Sequence, residues 1–307
     1  MKESGVRQKP IVACFVGGER STEASVRFGE ASISCYDCPD KAMSAFSALR
    51  QAAKFREGGP TDRFKLYKDV EKQRARSIIA GARRAGRNAL TELEAKDLFE
   101  AYGLPVTKAK LARAEKEAAL FAREIGFPVV LKIVSPDILH KSDAGGVKVN
   151  LKDEEAVLAA FRTILENAKL YRADADIHGV LVSEMAPPGT EVICGSVNDP
   201  TFGPAVMFGL GGIFVEVLKD VTFRVAPISE ETAMDMFPEV RSFPILQGAR
   251  GETRRDQKAL ATVLSRLSQL VSDLEDEIAE TDANPVMLYE DGKGCRLVDA
   301  RVILRKK

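Results

Sequence analysis

Residues 127–150 read FPVVLKIVSPDILHKSDAGGVKVN. The run Val129-Val130-Leu131 is apolar and β-branched, which predicts a buried strand, and Lys132 closes it. A loop follows with Pro136, His140-Lys141-Ser142-Asp143 and the pair Gly145-Gly146. Val147, Val149 and Leu151 then alternate with polar residues, the pattern of a second strand. Two strands joined by a loop of Lys, His, Ser, Asp and Gly-Gly point to a phosphate site. Glycine lets backbone N–H groups come close to an anion, and lysine supplies positive charge.

The rest of the chain sets bounds on that reading. With 307 residues it can bury a sizeable core and hold more than one domain. Lys+Arg and Asp+Glu both number 45, so bulk charge selects no partner class. Imidazole chemistry has two candidates, His140 and His178. His178 lies outside every motif and is expected to be structural or solvent-exposed. The five cysteines are an odd number, which fits a reducing, cytoplasmic setting. Cys35 and Cys38 have redox or zinc spacing, but no second pair or His cluster completes a zinc site. The apolar stretch 203–218 contains four glycines and Glu216 and is not a membrane span.

In chain order, Ile11–Val16, Thr22–Gly29, Ile33–Tyr36 and Lys41–Arg56 predict strand, helix, strand, helix. Two parallel strands cannot complete a sheet domain, because such strands need neighbours and cover on both faces. Residues 58–87 predict a basic helical linker. From Arg63 to Arg87 nine Lys or Arg stand against Asp69 and Glu71, and the block lacks the interleaved aromatics of a nucleic-acid surface. Thr91 and Glu94 form a capping box for a helix through Tyr102, closed by Gly103. Strands are expected at Val106–Leu111, Val180–Glu184, Glu191–Val197 and Ala205–Leu210, and helices at Glu115–Ile125, Asp153–Leu170 and Arg254–Leu274. This alternation makes the region mixed α/β. The six carboxylates from Asp273 to Asp282 read as a solvated helix end, with Asp282 the exception to watch. Val286–Tyr289 and Arg296–Val298 predict a hairpin turning at Asp291-Gly292, which would set Asn284 beside Asp299.

Three long motifs carry a resemblance: SPDILHKSDAGGV (135–147), the stretch from Glu184 to Ile228, and ETDANPVMLYEDGKGCRLVDARVIL (280–304). They resemble the ATP-grasp part of the ADP-forming acyl-CoA synthetases, the acetate–CoA ligases related to succinyl-CoA synthetase. The resemblance covers most of residues 90–307. It implies an α/β (α+β) chain in which an ATP-grasp fold at 88–307 follows the C-terminal part of a flavodoxin-like CoA-ligase domain at 1–57.

The resemblance also implies roles. Lys132 would meet ATP phosphates, with Ser142, Gly145, Gly146 and Val147 forming the phosphate loop. Gly211 and Gly212 would lie near the nucleotide. Adenine would lie along Ser183-Glu184-Met185, with Glu184 or Glu191 at the ribose. Asn284 and Asp299 would hold Mg²⁺, whose preferred ligands are oxygens. His140 would carry a phosphoryl group, and Arg224 would assist with phosphate charge. The cofactors implied are ATP/ADP and Mg²⁺. The implied partner is an α-type CoA-binding and ligase subunit, through which CoA and an organic acid reach a hetero-oligomer, with neither nucleic acid nor membrane involved. No His precedes residue 140, so a first phosphohistidine would come from that partner. Two other readings stay open: a regulatory nucleotide-sensing module, and an ATP-grasp ligase that works through an acyl-phosphate.

Overall fold

A strand buried on one face needs a helix over it, and the chain meets that need twice in its larger unit. The computed structural model describes residues 10–57, 64–138, 141–212, 219–251 and 253–306. His140 and the stretch 213–218 after the second glycine cluster lie outside the described residues. The chain divides into two units, Met1–Arg63 and Phe64–Lys307.

In the first unit, β1 (Val12–Cys14) pairs in parallel with β2 (Ser34–Tyr36), in the register Val12↔Ser34. Helices α1 (Glu19–Glu30) and α2 (Pro39–Glu57) follow the strands. Among the described residues of this unit only Ala42 is buried. Val16 is 73% exposed and Met43 65%. Cys35 and Cys38 are free thiols.

The second unit opens on α3 (Lys72–Arg84). This is the basic segment, and it is no solvated linker. Ala75, Ile79 and Ala82 are buried in the larger core. Its cations meet the acidic run. Lys72 Nζ lies 2.7 Å from Asp273, Arg76 3.6 Å from Asp276, and Arg83 3.3 Å from Glu277. The acidic run is therefore not a solvated helix end. Helix α8 (Gln257–Asp273) stops at its first carboxylate, and strand β10 (Ile278–Leu288) takes up its last ones. Ile79 is 2% exposed, so Ile79→Ala is expected to destabilise this unit by about 2–5 kcal/mol in urea unfolding.

Helix α4 (Glu92–Glu100) starts at the capping box of Thr91 and Glu94. A four-stranded antiparallel sheet then forms in the order β3-β6-β4-β5: β3 (Ala109–Ala112), β4 (Val129–Val134), β5 (Val147–Leu151) and β6 (Gly179–Glu184). Helices α5 (Glu115–Ile125) and α6 (Glu154–Tyr171) cover one face and close the smaller core. The second sheet has the order β11-β10-β7-β8-β9, with β12 (Arg301–Leu304) also on β10. It is built from β7 (Thr190–Asp199), β8 (Gly203–Leu210), β9 (Val221–Val225), β10 and β11 (Cys295–Leu297). Helices α3, α4, α7 (Glu230–Met236) and α8 pack around the larger core. No helix among the described residues is long and apolar enough to cross a membrane.

Candidate functional site

Lys132 does not end its strand. β4 runs on through Ile133 and Val134, with Val129, Leu131 and Ile133 fully buried. Alternation puts Lys132 on the opposite face, and it is still only 8% exposed. A buried ammonium needs counter-charge. Lys132 Nζ lies 2.7 Å from Asp299 Oδ1 and 3.2 Å from Glu92 Oε1.

Glu92, the first residue of α4, gathers two more lysines. Lys141 Nζ donates to Glu92 Oε2 at 2.7 Å, and Lys96 Nζ lies 3.6 Å from Oε1. Lys96 is 2% exposed and donates to Thr107 Oγ1 at 3.0 Å. Thr107 Oγ1 in turn lies 3.3 Å from the carbonyls of Leu297 and Val298, next to Asp299. Three lysines against two carboxylates leave one positive charge in excess. That is a suitable environment for phosphate oxygens.

Protonation follows from these contacts. Burial opposes charge on Lys132, but the carboxylates of Glu92 and Asp299 outweigh it and hold the ammonium above its usual pKa. Burial also opposes ionisation of Glu92. The hydrogen bond with Asp299 and the charges of Lys132, Lys141 and Lys96 overcome it, so Glu92 titrates well below the carboxylate range. Asp299 moves the other way, raised by burial and then by its hydrogen bond and repulsion with Glu92. Of the pair, Glu92 thus holds its charge more firmly than Asp299. Burial brings Lys96 below its ordinary value.

The hairpin stands as read. Val286 pairs with Leu297, and the Val298 N–H donates to the Pro285 carbonyl at 3.0 Å. Asn284 and Asp299 therefore leave it at the same end. Asp282 and Asn284 are two residues apart and share a face of β10. Asp282 Oδ1 is buried without a hydrogen-bond partner. An orphaned carboxylate oxygen beside Asn284 and Asp299 fits an oxygen-coordinated cation such as Mg²⁺. Among the described residues no group of three or more His, Cys, Asp or Glu could hold a metal ion.

Burial raises the Asp282 pKa, so its ionised form opposes folding. Because the folded pKa is the higher one, folding is favoured below the ordinary carboxylate pKa, and the advantage is lost as pH rises through the folded value. Asp282→Asn is expected to raise the Tm at pH 8, to leave it unchanged at pH 3, and to weaken Mg²⁺ binding in isothermal titration.

The glycine pair departs from the sequence reading. The Gly145 N–H donates to the Ser142 carbonyl at 2.9 Å and the Gly146 N–H to the Lys141 carbonyl at 2.8 Å. Both amides are engaged within the turn, so neither is free for an anion. A Cβ on Gly146 would meet Ile133 Cγ2 at 2.5 Å, and one on Gly145 would meet Asn167 Nδ2 at 2.6 Å. Their role here is close packing of the turn on β4 and α6. Ser142 and Val147 flank the same turn.

The remaining predicted residues fall into three groups. Ser183, Glu184 and Met185 lie where β6 ends. Ser183 Oγ is buried without a partner, and Glu184 Oε2 accepts from the Lys108 N–H at 3.1 Å. Glu191 is exposed, its carbonyl accepts the Gly211 N–H at 2.9 Å, and Gly212 follows with open space at its Cα. Arg224 is not brought into the lysine cluster, since its guanidinium is taken by Glu239 through both Nη atoms. His178 is exposed and bonded to Asp176 at 2.9 Å.

Sequence reasoning placed Lys141 in the loop without its partner, and it missed Glu92 and Lys96. Glu92 and Lys96 are four apart, the spacing of an ordinary surface pair on a helix. Only the cap at Thr91, which fixes where the helix starts, hints that Glu92 turns inward.

Comparison with known proteins places this geometry. The family model of the ATP-grasp domain matches residues 81–304. The chain is 54% identical over 231 residues to the subunit beta of acetate–CoA ligase [ADP-forming] I of Pyrococcus furiosus, a match covering 75% of this chain and 98% of that one. It is 42% identical over 295 residues to the 4-hydroxybutyrate–CoA ligase [ADP-forming] of Nitrosopumilus maritimus, covering 96% of this chain and 42% of that one. Among solved structures it is similar to the dinucleotide-forming acetyl-coenzyme A synthetase 1 of Ca. Korarchaeum cryptofilum. That structure holds coenzyme A and Mg-AMPPCP, with a phosphohistidine segment pointing towards the nucleotide-binding site. The TM-score is 0.67 at 49% identity, covering 75% of this chain and 100% of that one. The chain therefore belongs to the ATP-grasp family, among the β subunits of the ADP-forming acetate–CoA ligases.

Proposed function

We propose that the chain is the nucleotide-binding subunit of an ADP-forming acyl-CoA synthetase, catalysing acyl-CoA + ADP + phosphate ⇌ acid + CoA + ATP with a partner. The observation that carries this is the buried Lys132 of β4 bonded to Asp299, in the loop between β11 and β12, inside a cluster of excess positive charge.

In the nucleotide half-reaction, a ring nitrogen of His140 attacks the γ-phosphorus of ATP. The P–N bond forms as the bond to the ADP oxygen breaks, and ADP leaves with that electron pair. Lys132 meets the phosphate oxygens and offsets the charge that develops on them. Asn284 and Asp299 would hold Mg²⁺ with Asp282 beside them, and the ion would neutralise phosphate charge. Ser183, Glu184 and Met185 would border the adenine, with Glu184 or Glu191 at the ribose, and Gly211 and Gly212 would border the phosphates. Ser142, Gly145, Gly146 and Val147 shape the turn next to His140. Arg224, paired with Glu239, has a structural role in this reading.

The first unit is read as the C-terminal part of a flavodoxin-like CoA-ligase domain. Its two parallel strands with almost no buried side chains support this, as does a longer single-chain relative that matches 96% of this chain. The α-type partner would bring CoA and the acid. The test is ATP formation from acetyl-CoA, ADP and phosphate, by the chain alone and with the α-type subunit of a relative. Turnover is expected only with both, and a normal rate from the chain alone would overturn the two-subunit reading.

A further inference from the structure

We infer that Glu92 is a positioning residue of phosphotransfer, a buried anion that fixes Lys132 and Lys141 relative to each other. The inference rests on the function proposed above and extends it to a residue outside the predicted site.

Glu92 is held firmly. Thr91 caps the helix it begins, and Arg87 grips Glu94 through two nitrogens at 2.7 and 2.6 Å. Ala95, Leu98 and Phe99 sink the same helix into the larger core. Lys132 and Lys141 instead belong to β4 and to the turn of the smaller sheet. Glu92 thus reaches from one body to the other. It divides its oxygens between them, Oε1 for Lys132 at 3.2 Å and Oε2 for Lys141 at 2.7 Å.

The division has a chemical use. Lys132 has two counter-charges, Asp299 and Glu92. Whatever Asp299 engages during turnover, Glu92 keeps the ammonium in place. Without Glu92, Lys132 would follow Asp299 alone, Lys96 would keep only a hydroxyl partner, and Lys141 would lose its anchor. Lys141 directly follows His140 in the chain, so its anchor fixes the described end of the turn beside that residue. Misplacement of about 1 Å costs on the order of 100-fold in rate.

The test compares wild type, Glu92→Gln, Lys141→Ala and the double variant, each assembled with its partner subunit. Glu92→Gln is expected to slow phosphoryl transfer from ATP to the protein by about 30-fold or more, with KM for ATP within about threefold. Lys141→Ala is expected to cost about tenfold alone and little more than a factor of two in the Gln background, because the two act as one unit. Amide hydrogen exchange in the turn 141–146 is expected to rise about tenfold in Glu92→Gln while α8 is unchanged. Glu92→Asp, which keeps the charge, should fold and show a smaller loss. Wild-type exchange in the turn of Glu92→Gln, or multiplicative effects of the two substitutions, would overturn the inference. If wild type itself takes no label, the proposed function fails. The exchange measurement in the turn 141–146 still decides whether Glu92 organises the lysines.

Discussion

His140→Ala is expected to abolish label transfer from γ-labelled ATP to the protein, a loss of at least about 1,000-fold, because nucleophile removal leaves no covalent intermediate. The label in wild type should be acid-labile and stable to base, the behaviour of a phosphorus–nitrogen bond. The chain has one other imidazole, on His178, so the assignment needs one control. The His178 ring is exposed and bonded to Asp176 at 2.9 Å. His178→Ala should label like wild type. The same pair separates the reading open from the sequence onward. In a ligase that makes an acyl-phosphate directly, His140→Ala would be mild, and ATP hydrolysis would depend on the acid. Retained label in His140→Ala, with the partner subunit present, would sink the relay.

Elements with an uninterrupted period were legible. Helix α5 spans Glu115–Ile125 as read, because its alanine face and the Gly126 stop agree. The β10–β11 hairpin was legible from alternation and from Asp291-Gly292 at the turn. Readings failed where charge was turned inward. Lys132 looked like a strand end because a lysine rarely sits in a buried strand. It does so here because two carboxylates distant in sequence, Glu92 and Asp299, reach it. Helix α3 looked like a linker because its five Lys or Arg, within a longer basic stretch, hid a stripe of Ala75, Ile79 and Ala82. Strand β9, Val221–Val225, was not among the expected strands. It pairs with β8 and carries Arg224 toward Glu239 rather than toward the site. The glycine pair was read as an anion cradle, whereas both of its amides donate to carbonyls of their own turn.

Lys132→Met should show two separable losses. The first is catalytic. Without the one ammonium shared by β4 and Asp299, charge developing on the phosphate goes unmet, and phosphotransfer should fall by about 100- to 1,000-fold. The second is a pH-dependent loss of stability. Lys132 is among the groups that draw the Asp299 pKa down, against burial and Glu92, which raise it. Removing the lysine lifts that pKa further. A carboxyl whose folded pKa is raised favours folding below its unfolded pKa and loses that advantage as pH rises through the folded value. The gap between wild type and variant should therefore be smaller at acid pH, where Asp299 is protonated in both and only the Glu92 contact is lost, and widen toward pH 8. The Asp299 side chain is 41% exposed, so the gap at pH 8 should be about 1–3 kcal/mol, below that for a fully buried pair. Glu92 adds little to the pH dependence, since Lys141 and Lys96 keep it ionised. Urea unfolding at pH 5 and pH 8, beside the labelling assay, measures both losses. A gap that does not change with pH would show that Lys132 and Asp299 are not paired in solution. A variant that transfers phosphate at the wild-type rate would remove Lys132 from the chemistry. Lys132→Arg tests geometry rather than charge. The guanidinium is planar and bulkier than an ammonium, and the site leaves only 8% of the residue exposed, so arginine should restore stability better than rate.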